Sequence, residues 1–133
     1  MIYLEIFLIA FLLNFVWEVW HSQLYKTIHE MNFGDIIRLL TKMSLKDGLW
    51  IALFYYITVL LFGNINIFED YTQLGVFIII SLSFSFIDEK VSLKMRRWEY
   101  TKNMPTIAGV GITPFLEVAV TGTLAFVVVF LFI

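Results

Sequence analysis

Four carboxylates, Glu18, Asp47, Glu89 and Glu117, lie within or at the edge of long apolar stretches. A charge in such a setting costs about 2.5–3.5 kcal/mol on insertion scales and so invites a functional explanation. The chemistry they could do is proton transfer: a carboxylate with an apolar neighbourhood can serve as general acid or base near neutral pH. Glu18 and Glu89 are the candidate catalytic groups. Asn14, Glu18 and His21 follow at i, i+4 and i+7, which puts them on one helical face. Arg97, Trp98 and Tyr100 form a basic, aromatic run after Glu89, and the planar fork of Arg97 suits an anionic headgroup. Asn14, Asp47, Arg97, Trp98, Tyr100 and Glu117 are therefore the candidate ligand-binding residues.

Metal chemistry finds less support at this level. Glu18-x-x-His21 has the spacing of half a di-iron carboxylate site, but His29 has Lys26 rather than a glutamate three residues before it. No metal ligands are predicted, and His21 reads as an imidazole at a lipid–water boundary. The chain has no cysteine, which excludes disulfides and thiolate sites. Gly109-x-Gly111 lacks the strand-to-helix context of a phosphate-binding loop. No cofactor is indicated, and nothing resembles a nucleic-acid module.

These residues must be held by membrane-spanning helices. The chain has 133 residues, 60% of them hydrophobic and only 15% charged, against roughly 25% charged in soluble domains. A domain this small cannot hide so much apolar surface from water. Apolar stretches at about 2–20, 45–62, 71–87 and 113–133 predict four spans in a single transmembrane domain. Ser81 to Phe86 alternates with period two, but an isolated strand in lipid would leave its backbone unsatisfied, so helix is predicted. Between the first two spans, Phe33, Ile36, Ile37, Leu40 and Met43 recur at helical spacing, predicting an amphipathic interfacial helix. Thr113 and Pro114 read as the cap and first residue of the last helix. Ala119, Gly122 and Ala125 are small enough to allow close helix packing.

Orientation follows from the basic residues. Lys26, Arg38, Lys42 and Lys46 fall in the first loop region, and Lys90, Lys94, Arg96, Arg97 and Lys102 in the third. The second loop holds Glu69 and Asp70 and no basic residue. Lys- and Arg-rich short loops stay in the cytoplasm. The expectation is an all-α four-helix bundle, multi-pass in the cell membrane, with both termini outside. The N-terminal segment lacks a basic flank and a cleavage site and reads as retained.

Trp17-Glu18, Leu24-Tyr25, Asp47, Glu89, Arg97-Trp98-x-Tyr100-x-x-x-Met104-Pro105 and the later Pro114 together resemble a family of small four-span prokaryotic membrane proteins known as conserved hypothetical proteins. The resemblance touches all four spans and is most specific from Arg97 to Pro114. It implies a site formed by Glu18, Asp47, Glu89, Arg97, Trp98 and Tyr100, and it supplies no activity. The family pattern has an amide where this chain has Glu117, and no position matching His21. Pro114-x-x-Glu117 is also similar to a short motif of the lycopene cyclase membrane domain.

Three functions remain open. The acids and aromatics can line a pocket for a lipid-like or amphiphilic ligand, with or without catalysis. The chain can be a non-catalytic accessory subunit of a larger membrane complex, with other membrane subunits as partners. Ion or proton passage is the third, along a sparse path of Glu5, Tyr55, Thr58 and Thr121. A fourth, purely structural role for the acids pairs them with arginines, hydroxyls and backbone groups.

Overall fold

The computed structural model describes residues 1–133. Its four long helices are α1 (Ile2–His21), α2 (Phe33–Phe62), α3 (Tyr71–Lys94) and α4 (Ile112–Val127), with a π-helical turn, Val128–Phe132, continuing α4. Each runs antiparallel to the next. The α1–α2 and α3–α4 connections therefore meet at one end of the bundle, and this end carries the basic residues. Three helical segments, Ile2–Leu24, Phe33–Phe62 and Ile112–Phe132, are long and apolar enough to cross a membrane.

The outward faces are apolar. Leu4, Leu8, Leu12 and Val16 of α1 are exposed, as are Leu49, Leu53 and Leu60 of α2 and Ile79 and Ile87 of α3. The buried stripe of α1 is Ile6, Ala10, Asn14, Glu18 and His21, which changes from apolar to polar toward the basic end. The other helices change in step. Ile51, Phe77 and Phe126 fill the middle of the bundle, while Asp47, Ser81, Ser85, Glu89 and Glu117 are buried nearer the basic end.

Close packing has a specific cause at two glycines. A Cβ on Gly122 would lie 2.5 Å from Cζ of Phe77, so the ring sits directly on the α4 backbone. A Cβ on Gly48 would lie 3.2 Å from the Phe7 ring, which marks the approach of α2 to α1. The small stripe of α4 is buried as expected, with Ala119 and Ala125 beside Gly122.

The expected interfacial helix and second span are one continuous helix. α2 has 30 residues, roughly 45 Å at 1.5 Å per residue, against about 30 Å of hydrocarbon. Asn32 caps it by accepting from the Asp35 amide at 2.9 Å, and no glycine or proline between Asp35 and the span interrupts the helical ladder. Gly63, at φ 83°, ends it in the left-handed conformation that glycine adopts without strain. Asp47 consequently lies at mid-helix rather than opening a helix. The start of α4 is also earlier than expected: Gly111 is its cap, and Pro114 is the third helical residue. Proline is tolerated there because the first turn's amides have no helical acceptor.

A two-residue β-hairpin precedes α4, pairing β1 (Thr106–Ile107) with β2 (Val110–Gly111). Ala108 and Gly109 both have positive φ, 53° and 83°, as the primed hairpin turn requires. Gly111 is needed for a different reason: a Cβ there would come within 2.9 Å of Met104 Sδ and 3.0 Å of Pro114 Cδ.

Candidate functional site

Two connections stitch the basic end together. Tyr25 and Tyr100 pair as an isolated antiparallel bridge. Around it, the Lys26 amide donates to Glu99 O at 2.7 Å and the Thr101 amide donates to Leu24 O at 2.8 Å. The Thr101 hydroxyl adds a second bond to Leu24 O at 3.0 Å. This seam places Tyr25, Trp98 and Tyr100 over the end of α3.

Glu89, one of the predicted catalytic residues, is the acceptor they share. Its Oε1 takes hydrogen bonds from Trp98 Nε1 at 2.6 Å, Tyr100 OH at 2.9 Å and Tyr25 OH at 3.2 Å. Tyr100 OH in turn accepts from the Gly111 amide at 2.9 Å, which ties the hairpin to the same carboxylate. Burial pushes the phenol of Tyr25 well above its ordinary pKa, and the neighbouring Glu89 charge adds to the shift. Burial likewise raises Tyr100, partly offset by the bond from Gly111. Both phenols therefore stay protonated donors. A carboxylate fixed by three donors is an anchor more than a mobile proton carrier.

Glu18, the other predicted catalytic residue, has different company. Its Oε2 lies 2.9 Å from His21 Nε2, and Glu117 Oε1 lies 3.6 Å from the same nitrogen. On the other side of the ring, His21 Nδ1 is 3.0 Å from Thr113 Oγ1. Trp17 Nε1 donates to Thr113 O at 3.2 Å, holding the start of α4 against α1. His21 is only 1% exposed, so the expectation of an imidazole at a boundary is corrected: the ring is enclosed by α1 and α4. The other oxygens of the two acids, Glu18 Oε1 and Glu117 Oε2, are buried with no hydrogen-bond partner.

Glu18, Asp47, Glu89, Trp98 and Glu117 line one narrow crevice. Asn14 lies one turn deeper: its Nδ2 donates to Ala10 O at 2.7 Å and its Oδ1 accepts from Thr121 at 3.2 Å, so it borders the layer without lining the crevice. Tyr100 acts through Glu89. The predicted pairing of the acids with arginines is not found. Arg97 reaches only Ser92 Oγ at 3.4 Å and Met95 Sδ at 3.6 Å. The part-buried ion pair at this end is instead Lys46 to Asp88, at 3.2 Å, with Lys26–Glu99 and Arg38–Asp35 exposed on its surface.

A second, larger cavity of about 310 Å³ opens beside the crevice and shares Glu18, Tyr25, Met43 and Trp98 with it. Ile28, Leu39, Leu40 and Met43 contribute apolar wall, and Arg97 also lines it. The α2 extension that sequence reasoning treated as a separate helix supplies much of that wall. His21, Tyr25 and Thr113 are the site residues that sequence reasoning passed over. His21 showed itself only through the Glu18-x-x-His21 spacing, Tyr25 only through the Leu24-Tyr25 pair, and Thr113 only as a cap.

No protein-family model, curated protein or solved structure matches this chain. Its site must be interpreted from its own chemistry.

Proposed function

We propose that this protein is a four-span membrane bundle that holds one amphiphilic, lipid-like molecule in the cavity at its basic end. The observation that carries the reading is the make-up of that cavity. Its volume of about 310 Å³ falls at the lower end of the range for small-molecule sites, enough for a headgroup and the first part of a chain. Ile28, Leu39, Leu40 and Met43 give it an aliphatic side and Tyr25 and Trp98 an aromatic one, Glu18 is buried among them, and Arg97 is an exposed residue of its lining. Arg97 has no carboxylate partner, only long bonds to Ser92 and Met95, so its guanidinium can turn its remaining donors to an anionic headgroup. Glu18, hydrogen-bonded to His21, is the group placed to exchange a proton with whatever binds beside it.

Two further arguments support the setting. The outward leucines, isoleucines and valines suit lipid on all sides, and the Lys and Arg residues at one end favour a cytoplasmic position for that end, with both termini outside. The layer of Ile51, Phe77 and Phe126 separates the acids from Thr58 and Gln73 farther along the bundle. That apolar layer disfavours ion or proton passage and favours a site open to one end.

Native mass spectrometry of the protein extracted with its own lipids tests the reading. The expected result is one retained acyl-chain anion per chain, with retention lost in Arg97→Gln and in Met43→Trp, which fills the cavity. Equal retention in both variants refutes the site. Co-extracted subunits in the same spectrum would instead support an accessory role in a larger complex. Because the chain lacks cysteine, single cysteines at Glu69 and Lys102 report orientation by labelling with a membrane-impermeant maleimide from outside intact cells. Glu69→Cys should be labelled and Lys102→Cys protected.

A further inference from the structure

We propose that Glu18, His21 and Glu117 form a binding site for one divalent first-row transition-metal ion. The site shares Glu18 with the amphiphile cavity but does not rest on that reading.

The first argument is geometric. The candidate ligand atoms of the three residues all lie within 4.8 Å of one another. His21 Nε2 is 2.9 Å from Glu18 Oε2 and 3.6 Å from Glu117 Oε1. Ligands bound at about 2.0–2.2 Å from an ion stand roughly 2.8–3.6 Å apart at octahedral or tetrahedral angles. Both distances from His21 Nε2 to the carboxylates already fall in that range. Two of them come from one helical turn, and the third comes from a helix nearly a hundred residues later.

The second argument is the hydrogen-bond pattern of the imidazole. The Thr113 hydroxyl is directed at Met104 Sδ, 3.4 Å away. Its oxygen lies 3.0 Å from His21 Nδ1 and can accept from Nδ1–H. In that tautomer Nε2 carries a lone pair, the arrangement by which an outer-shell partner orients a metal-ligating histidine. In the metal-free protein Nε2–H can donate to Glu18 Oε2 at 2.9 Å; in the tautomer with Nδ1–H, the Nε2 lone pair and the two carboxylates would converge on one cation.

The third argument is independent of both. Glu18 is 1% exposed and Glu117 is 4% exposed, yet each keeps a buried oxygen without any hydrogen-bond partner. Buried carboxylates need compensation from charge or donors. The nearby basic side chain that lines the crevice, Lys46, is bound to Asp88. One imidazole and two carboxylates form a nitrogen–oxygen set suited to zinc, cobalt, iron or manganese rather than to copper(I).

Cobalt(II) is the probe, because its visible d–d absorption reports ligand type and geometry. Detergent-purified protein is stripped with chelator, titrated with cobalt(II), and assayed for metal content after gel filtration. The expected result is one cobalt per chain with a d–d band characteristic of nitrogen and oxygen ligands. His21→Gln and Glu117→Gln should each weaken binding at least tenfold, and Thr113→Val by about tenfold through loss of ring orientation. Glu69→Gln, an exposed acid at the opposite end of the bundle, should leave binding unchanged. A correctly folded wild-type protein that takes up no cobalt, or takes it up equally in Glu117→Gln, overturns the proposal and assigns the cluster to shared protons. The wild-type titration decides the matter even if a variant fails to accumulate. Neither result bears on amphiphile retention, so the two readings fail separately.

Discussion

Replacing Glu89 by alanine removes one oxygen that three side chains use, and the loss can be sized from the bonds. A hydrogen bond to a charged group contributes about 1.5–3 kcal/mol, so three sum to roughly 4.5–9 kcal/mol as an upper bound. The full sum will not be realised. Trp98 and Tyr100 are only half-buried and can turn to water once the carboxylate is gone, whereas Tyr25 is buried and cannot. Leaving one buried neutral donor without an acceptor costs about 1–3 kcal/mol, and at least that is the expectation for Glu89→Ala. The bond lengths also rank the partners. Trp98 donates at 2.6 Å and Tyr25 at 3.2 Å, so Trp98→Phe should couple more strongly to Glu89→Ala than Tyr25→Phe does. The assay is unfolding by SDS in mixed micelles, followed by tryptophan fluorescence and circular dichroism, arranged as two double-mutant cycles. Coupling within about 0.3 kcal/mol of zero in both cycles means that Glu89 does not anchor the seam. A Glu89→Ala cost no greater than that of Tyr25→Phe refutes the reasoning as well.

Three other outcomes follow from the packing and the charges. Gly122→Val places a branched side chain where the Phe77 ring lies, and overpacking of this kind should cost about 1–3 kcal/mol in the same unfolding assay; Phe77→Leu in the same chain should recover part of the loss. Tyr25 and Tyr100 have folded pKa values above those of the unfolded phenols, so their contribution to stability is complete below about pH 10 and is lost as pH rises further. Unfolding midpoints measured from pH 8 to 11 should fall, with a shallower slope in the double variant Tyr25→Phe, Tyr100→Phe. Lys46→Met breaks a partly exposed ion pair, and a cost of at most about 1 kcal/mol is expected from equilibrium unfolding.

The helical class and the facing of α1 were legible because apolar period and charge placement are local. Asn14, Glu18 and His21 do fall on one buried stripe, as their spacing dictates. The concentration of acids toward the basic end was legible from antiparallel order alone. The continuous α2 was not, because an amphipathic segment followed by an apolar one looks the same whether the helix between them bends or runs on. The hairpin was hidden by Ala108, a residue that gives no sign of the left-handed conformation it adopts. The role of His21 was hidden for a different reason. Its partners Thr113 and Glu117 belong to another helix, 92 positions away in the case of Thr113. Spacing within one helix cannot show which residues a second helix will bring.

That distance in sequence has a consequence for how the protein is made. Trp17, Glu18 and His21 leave the ribosome and can pair within a first helical hairpin long before Thr113 and Glu117 exist. Until the start of α4 docks, His21 lacks Thr113 and Glu117, and until the α3–α4 connection is made, Tyr25 lacks Tyr100. The site is therefore the last part of the molecule to form. A chain stopped after α3 would carry much of the cavity wall and none of the closure. Completion of the site is in effect the protein's own report that all four helices have arrived.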